Sequence, residues 1–273
     1  MALIDKLIAI ADGFRASRGL TEELSLDRMA ELASEEVGGG GATEPYMEET
    51  YDAAGNLIDV NMIGYTKIRE FAFYGCSNLA LTSLPEGITS IGNSAFCGCS
   101  NLALTSLPEG ITSIGNYVFY GCSNLALTSL PEGITSIGNS AFYSCSNLAL
   151  TYIPYMRSTT VLDGTFTNCK KMNISTVPDN IESIRNSALR NTGIINFTVP
   201  ANTKLEGYMP LGDNEKLESV TFLGTPSTIV NNAFHNCSNL TTINVPWAEG
   251  AVANAPWGAT NATINYNYTE EVT

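Results

Sequence analysis

The segment Gly-Cys-Ser-Asn-Leu-Ala-Leu-Thr-Ser-Leu-Pro-Glu-Gly-Ile-Thr-Ser-Ile-Gly-Asn begins at Gly75 and returns without a change at Gly98 and Gly121. The three copies are therefore separated by a period of 23 residues. Self-similarity at a period of about 20–50 residues is typical of solenoids, in which each unit stacks on the next. This repeat decides how the rest of the chain is interpreted.

A looser frame extends the repeat over eight turns. An aromatic residue or leucine is followed three residues later by a cysteine or a small polar residue, and three residues further by an aliphatic residue or methionine. The first position is occupied by Phe73, Phe96, Phe119, Phe142, Phe166, Leu189, Leu211 and Phe234. One unit alone cannot offset the entropy of ordering its backbone, about 1–2 kcal/mol per residue. We therefore predict that neighbouring turns share a continuous core.

Each unit also predicts its own secondary structure. A Leu-Pro or Val-Pro pair, such as Leu84-Pro85, ends a short extended run, because proline has no amide donor and stops a strand ladder. An asparagine such as Asn93 precedes a Ser-Ala-Phe-like run and is suited to cap one helical turn.

The chain divides into five predicted segments. Residues 1–36 are a helical attachment or oligomerisation segment, 37–44 a Gly-rich linker, 45–67 a β-hairpin cap, 68–246 the solenoid and 247–273 a C-terminal cap. The hairpin is predicted because two strand-like runs flank the turn Ala-Ala-Gly-Asn. Solenoids need such caps, since their end turns would otherwise expose the core.

An apolar stripe at helical spacing marks the first segment and is the candidate attachment face: Leu3, Leu7, Ile8 and Phe14. Two short helices bury little alone, so the stripe requires a partner: a second copy of the chain, another protein, or the first solenoid turn. Acidic residues interrupt the apolar stretch of residues 1–12 and no cleavage site of the usual kind follows, so we expect no signal peptide. No run approaches the roughly 20 apolar residues that span a bilayer.

Charge and cysteine usage exclude several classes of function. The 273 residues include 13 Lys and Arg against 27 Asp and Glu, a formal charge of −14, which argues against nucleic-acid binding. Six of the seven cysteines stand at the repeat position and are interpreted as small buried hydrophobes in a stacked column. Cys97-Gly98-Cys99 is half of a metal site without a second pair, so neither a metal nor a cofactor is predicted.

No catalytic set can be assembled from the sequence. His235 is the single histidine, which leaves no Ser-His-Asp or Cys-His arrangement beyond it. Glu86, Glu109 and Glu132 are spaced one turn apart and form a row in a predicted loop, not the facing pair of a glycosidase. The row is either a solvated turn or a weak divalent-cation site. We therefore predict that the protein is not an enzyme.

The remaining candidate is the surface. Two slots flank each frame phenylalanine: the first lies two residues before it and the second directly after it. The candidate binding residues occupy these slots: Tyr74, Tyr117, Tyr120, Tyr143 and His235. Tyrosine buries a large area with few torsions, and a repeated weak site gives avidity. The alternative is that these tyrosines pack between turns. Trp247 and Trp257 near the far end are interpreted either as a hydrophobic lid or as a carbohydrate site.

The frame Phe-x-Gly-Cys-Ser-Asn-Leu, followed by Leu-Pro-x-x-Ile-x-x-Ile-Gly-Asn-x-Ala-Phe, resembles the BspA-like leucine-rich repeat family over about residues 65–246. The resemblance implies a leucine-rich-repeat superhelix of about eight turns with short strands and short helical turns. The family's strand alternates aliphatic residues, as Ile243 and Val245 do here. In the early copies Thr82 takes an aliphatic place, so the strand phase of those copies stays open.

Both ends are similar to tail-associated proteins of phages and prophages of gut Firmicutes, in the opening Leu-Ile-Asp-Lys-Leu-Ile-Ala-Ile-Ala-Asp and in the ending Val-Pro-Trp-Ala-Glu-Gly. This resemblance implies a virion protein, made in the bacterial cytoplasm, that binds other tail proteins through its first helices. Its ligand would be a glycan or protein of the host cell surface, without membrane insertion. The alternatives are a structural spacer or decoration protein without a ligand, and a bacterial cell-surface adhesin.

Overall fold

The computed structural model describes residues 45–269, so the predicted segments 1–36 and 37–44, with Leu3, Leu7, Ile8 and Phe14, lie outside the described residues. Thirteen strands and no α- or 3-10 helix occur in the described range. Consequently, this range contains no helix long and apolar enough to cross a bilayer. The first two strands, β1 (Tyr46–Tyr51) and β2 (Leu57–Ile63), pair antiparallel and form the predicted hairpin.

Two rows of parallel strands build the solenoid. The first row contains two-residue strands that pair in the orders β3-β4-β5-β6 and β7-β8-β10. They are β3 (Lys67–Ile68), β4 (Ser90–Ile91), β5 (Ser113–Ile114), β6 (Ser136–Ile137), β7 (Thr160–Val161), β8 (Ser183–Ile184) and β10 (Lys204–Leu205). The second row pairs in the order β9-β11-β12-β13. Its strands are β9 (Asn196–Val199), β11 (Ser219–Phe222), β12 (Thr242–Asn244) and β13 (Thr263–Asn265).

The strand phase differs between early and late copies. In the late copies a strand precedes the Val-Pro pair, as predicted, because Ile243 and Val245 alternate inward with a period of two. In the early copies Leu81 and Leu84 are both buried although three positions apart, which breaks that alternation. The expectation of a strand ending at Leu84-Pro85 is therefore wrong, and the early turns pair through Ser-Ile steps such as β4.

The helical turn predicted after each asparagine is replaced by tight turns. Cys97 N–H donates to the Ser94 carbonyl at 3.1 Å, and Ser94 adopts a left-handed φ of 55°, which prevents the turn from continuing as a helix. The asparagines do not cap helices either. The Asn93 side-chain oxygen accepts from Asn116 N–H at 2.8 Å, and that of Asn116 accepts from Asn139 N–H at 2.8 Å. They form a ladder that joins successive turns.

The predicted core is present. Phe73, Phe96, Phe119, Phe142 and Phe166 are buried and stack in a column, with successive ring centroids 5.2, 5.8, 5.5 and 5.5 Å apart. A parallel column consists of the buried cysteines Cys99, Cys122, Cys145, Cys169 and Cys237. Their thiols donate to frame carbonyls of the preceding turn; the Cys122 sulfur lies 3.0 Å from the Phe96 oxygen. The cysteines thus fill apolar space and satisfy buried carbonyl groups at once.

Both ends of the solenoid are covered. At the first turn the β2 residues Val60 and Met62 are buried, and Ala80 N–H donates to the Ile58 carbonyl at 2.9 Å. At the far end the Trp-containing cap has the form of a further turn, because β13 pairs with β12 and Phe234 N–H donates to the Trp257 carbonyl at 3.0 Å. The solenoid therefore has about nine turns, one more than the predicted eight.

The tryptophans of that last turn belong to the core. Trp257 is fully buried and Trp247 is 6% exposed, and both pack against Phe222, with ring centroids 6.0 and 5.4 Å away. The indole N–H of Trp257 donates to the Ala253 carbonyl at 2.8 Å. The interpretation of these residues as a lid is confirmed, and the alternative of a tryptophan-lined carbohydrate site is wrong. Residues 249–254, between the two tryptophans, form bends and turns.

Candidate functional site

An aromatic surface runs across the first four turns beside the phenylalanine column. We define this aromatic strip as the rings of Phe71, Tyr74, Tyr117, Tyr120 and Tyr143; the slots of the second turn hold Ser94 and Cys97, which carry no ring. Tyr74, Tyr117 and Tyr120 are 44%, 45% and 37% exposed, and Tyr143 is half-buried. The alternative of packing between turns holds in part, because each of these tyrosines is more than half buried and still reaches solvent; their role as binding residues stays a prediction.

The turn geometry brings the two slots of each unit together, although Ser94 in the first slot of the second turn is buried. Tyr120 N–H donates to the Tyr117 carbonyl at 3.2 Å, so the two side chains leave the same tight turn. Tyr117 adopts a left-handed φ of 56°, which is uncommon for a bulky residue and depends on the surrounding structure. Its N–H donates to the Asn139 carbonyl of the next turn at 3.0 Å. The slots are therefore held by backbone hydrogen bonds within and between turns.

Ring contacts join the tyrosines of the third and fourth turns. Tyr120 stacks on Tyr143 with centroids 4.8 Å apart and lies 6.1 Å from Tyr117. Burial raises the pKa of Tyr120, and the neighbouring hydroxyl of Tyr143 and thiol of Cys97 add to this. Cys97 in turn hydrogen-bonds the Tyr74 side chain, although burial still raises the pKa of its thiol. The strip thus carries rings on the first, third and fourth turns, and on the second turn Cys97 takes the place of a ring.

The strip is electrically neutral in an acidic protein. None of residues 71–74, 94–97, 117–120 and 140–143 is acidic or basic, whereas the chain carries a formal charge of −14. Its polar atoms are hydroxyls, one thiol and peptide groups. A surface of this kind offers ring faces and edges for apolar contact together with hydroxyls that donate and accept hydrogen bonds.

His235 follows the same frame position but is not part of the strip. It is exposed on the eighth turn and borders an open groove of about 510 Å³ together with Asp213, Glu215 and Asn236. The Asp213 carboxylate forms an ion pair with Arg190 and accepts from Asn236 at 2.9 Å. Its oxygens are therefore occupied by neighbouring turns, and the groove is polar. The structure does not bring His235 to the predicted tyrosines.

The acidic row lies where the sequence predicts it. Glu86, Glu109 and Glu132 are exposed in successive turns, as a solvated row requires. Glu132 accepts a hydrogen bond from the Tyr152 hydroxyl at 2.8 Å, which raises the pKa of that tyrosine. Among residues 45–269 no group of three or more histidines, cysteines or acids has the geometry of a metal site.

Sequence reasoning did not identify every exposed aromatic residue. Phe71 is half-buried and belongs to the strip, with its ring 6.0 Å from that of Tyr74. Its place two residues before Phe73 matches that of Tyr117 before Phe119, and this match could have identified it. Tyr155 and Tyr208 are 65% and 58% exposed but lie outside the strip. They stand in irregular parts of later turns, where the repeat gives no frame to compare.

Comparison with solved structures places the fold among bacterial leucine-rich repeat proteins. The chain is 19% identical to a leucine rich cell surface protein from Faecalibacterium prausnitzii, with a TM-score of 0.56, and the match covers 75% of this chain and 71% of that one. A leucine-rich repeat protein from Bacteroides ovatus is 20% identical with a TM-score of 0.43, over 83% of this chain and 76% of that one.

Comparison of sequences assigns the family. None of the curated proteins matches the chain. The family described as BspA type leucine rich repeat region matches in six copies, over residues 50–163 and 154–251. These ranges include the second strand of the hairpin, the aromatic strip and the solenoid turns up to the last one, well over half of the 273 residues. The chain therefore belongs to the BspA type leucine-rich repeat family.

Proposed function

We propose that the protein is a non-enzymatic binding protein of a phage tail, in the tail tip or a tail fibre, and that its solenoid presents the aromatic strip to a glycan or protein of the host cell surface. The observation that carries the proposal is the row of solvent-accessible aromatic rings on the first, third and fourth turns of a rigid frame. Tyrosine edges held by packing lose little conformational entropy on binding, so such a surface is pre-organised.

The particle role rests on the two ends of the chain. Their similarity to phage tail-associated proteins supports attachment to other tail proteins through Leu3, Leu7, Ile8 and Phe14, or assembly of several copies of the chain. Several copies on one particle would multiply a weak contact into avid binding. The solenoid would then project the strip away from the particle, and the protein would be located on the virion.

A cell-surface adhesin is the second candidate. The similarity in fold to a leucine rich cell surface protein from Faecalibacterium prausnitzii favours it. Detection of the chain in purified particles released after induced lysis supports the tail protein. Its recovery from the surface of intact producing cells, and not from particles, supports the adhesin.

Adsorption of the purified full chain to a panel of gut Firmicutes cells tests the binding function. Deletion of residues 98–120 removes the turn that carries Tyr117 and Tyr120, and deletion of residues 75–97 removes a turn with no ring in its slots. Both deletions keep the repeat in register, since each joins identical unit boundaries. We expect the first deletion to abolish adsorption and the second to retain it. Equal adsorption by the two deletion variants contradicts the proposal. Absence of adsorption by the wild type contradicts it as well, and is the behaviour expected of a structural spacer.

A further inference from the structure

The three near-identical units differ from one another in a restricted way. Residues 75–97, 98–120 and 121–143 differ at only three of their 23 positions. One of these positions is fully buried and small, with Ala95, Val118 and Ala141. The other two are the slots that flank the phenylalanine. The first slot holds Ser94, Tyr117 and Ser140, and the second holds Cys97, Tyr120 and Tyr143.

Exposure alone does not explain where the copies differ. Thr105, Ser106 and Glu109 are exposed, yet their counterparts in the other two units are identical. Recently duplicated units that changed without constraint on the exposed surface would differ at such positions as well, because exposed substitutions rarely alter stability by more than about 0.5 kcal/mol. The differences are instead concentrated at the slots that form the aromatic strip.

We propose that these two slots are the specificity-determining positions of the protein, and that the aromatic strip binds an uncharged oligosaccharide chain aligned with the solenoid axis. This inference rests on the proposed binding function and names the ligand class of that same surface. Aromatic edges and faces contact the apolar side of sugar rings, while the tyrosine hydroxyls exchange hydrogen bonds with sugar hydroxyls.

Charge favours an uncharged ligand. The strip has no lysine or arginine that could pair with a phosphate, sulfate or carboxylate, and the formal charge of −14 repels anionic polymers. It has no acidic side chain for a cationic ligand either. Recognition therefore has to come from ring contact and from neutral hydrogen-bonding groups.

Size and backbone pairing argue against a globular protein or an added peptide strand. Five rings that are less than half exposed offer about 400 Å², taking about 200 Å² for a whole aromatic side chain. A standard protein interface buries about 800 Å² on each partner. The N–H groups of Tyr117 and Tyr120 already donate to backbone carbonyls, so the strip presents no open strand edge for peptide addition. A narrow, linear ligand fits these limits.

The test measures binding of the full chain to an array of neutral and anionic oligosaccharides. We expect the wild type to bind neutral chains only, and Y117S/Y120S to bind them at least about tenfold more weakly, a loss of about 1.4 kcal/mol. Serine is the native residue of the first slot in both neighbouring units, so the fold accepts it there. Y155S removes a tyrosine outside the strip and serves as the control, with binding expected to be unchanged.

A gain-of-function variant keeps the test independent of any loss of folding. S94Y/A95V/C97Y gives the second turn the residues of the third and fills the gap in the strip. We expect it to bind the neutral chains more tightly than the wild type. Binding to no neutral oligosaccharide, equal binding to anionic ones, or an unchanged affinity of Y117S/Y120S overturns the inference.

Failure of the inference can be told from failure of the proposed function. Adsorption to bacterial cells that persists after periodate oxidation of their glycans, together with an empty array, overturns the glycan ligand and leaves a binding protein. Absence of adsorption to every cell in the panel, together with an empty array, overturns the binding function and the inference with it.

Discussion

Replacing Phe119 tests how the stacked column holds the solenoid together. Phe119 is fully buried, and its ring stacks on Phe96 at 5.8 Å and on Phe142 at 5.5 Å. Phe119→Ala leaves a cavity at the centre of the column, at a cost of about 3–5 kcal/mol. Phe119→Leu keeps most of the volume and loses the two ring contacts, each worth about 0.5–1.5 kcal/mol, so we expect a loss of about 1–3 kcal/mol. Leu189 and Leu211 show that the frame accepts leucine at this position.

Thermal unfolding followed by circular dichroism measures the difference. For a chain of this size a loss of 1 kcal/mol lowers Tm by about 2–4 °C, so we expect a decrease of roughly 10 °C for Phe119→Ala and a smaller one for Phe119→Leu. Tyr155→Ala changes an exposed aromatic residue and should leave Tm unchanged. The reasoning is refuted if Tm of Phe119→Ala lies within about 2 °C of the wild-type value, or if leucine is as harmful as alanine.

Three further outcomes are expected. Burial raises the pKa of Cys122 and Cys145 well above their ordinary value of 9.0, so both thiols stay protonated in the folded state and ionise in the unfolded chain. The free energy of unfolding, measured by urea titration, should therefore fall above about pH 9. It should fall less steeply in C122A/C145A, which lacks the two thiols. Asn116→Ala removes the acceptor of the Asn139 N–H and should lower the free energy of unfolding by about 1–3 kcal/mol. Asn202→Ala changes an exposed asparagine and should leave that free energy almost unchanged. Equal losses of the two variants in urea unfolding would contradict the stabilising role of the asparagine ladder. Removal of residues 1–36 should lower the mass measured by light scattering to that of a monomer, and an unchanged assembly state would exclude helix-driven assembly.

The sequence predicts the solenoid well because its repeat samples the same environment many times. A buried position such as Phe96 recurs at 23-residue intervals, so column, period and core can be read without knowing any backbone angle. The cysteine column follows from the same reasoning. The hydrogen bonds from these thiols to carbonyls of the preceding turn cannot be predicted in this way, because they depend on the register of the stacked turns.

The local backbone is where sequence reasoning failed. Asn93 before a Ser-Ala-Phe run has the composition of a helix cap, but Ser94 takes a left-handed φ that propensity does not anticipate. The asparagine side chain then pairs with the next turn, an interaction between residues 23 positions apart. The assignment of Trp257 to the cap is correct, but the frame does not reveal that this cap is a ninth turn joined to the eighth by backbone hydrogen bonds.

For the candidate site, the repeat identifies which positions flank the phenylalanine but not which of their side chains contact one another. Tyr117 and Tyr120 are visible as aromatic variants of a fixed unit. The stacking of Tyr120 on Tyr143 and the hydrogen bond between Cys97 and Tyr74 are contacts between turns, which the sequence alone does not show. Frame position alone groups His235 with them, but three intervening turns, with Thr167, Arg190 and Gly212 in that slot, separate it from Tyr143.

Chemical footprinting of tyrosines tests most directly whether the aromatic strip is the contact surface. Tyrosine nitration of the full chain, free and adsorbed to host cells, is followed by peptide mass spectrometry that resolves each modified residue. We expect adsorption to protect Tyr74, Tyr117 and Tyr120 and to leave the exposed Tyr155 and Tyr208 as reactive as in the free protein. Protection of Tyr155 or Tyr208 with undiminished nitration of the strip would contradict the central claim.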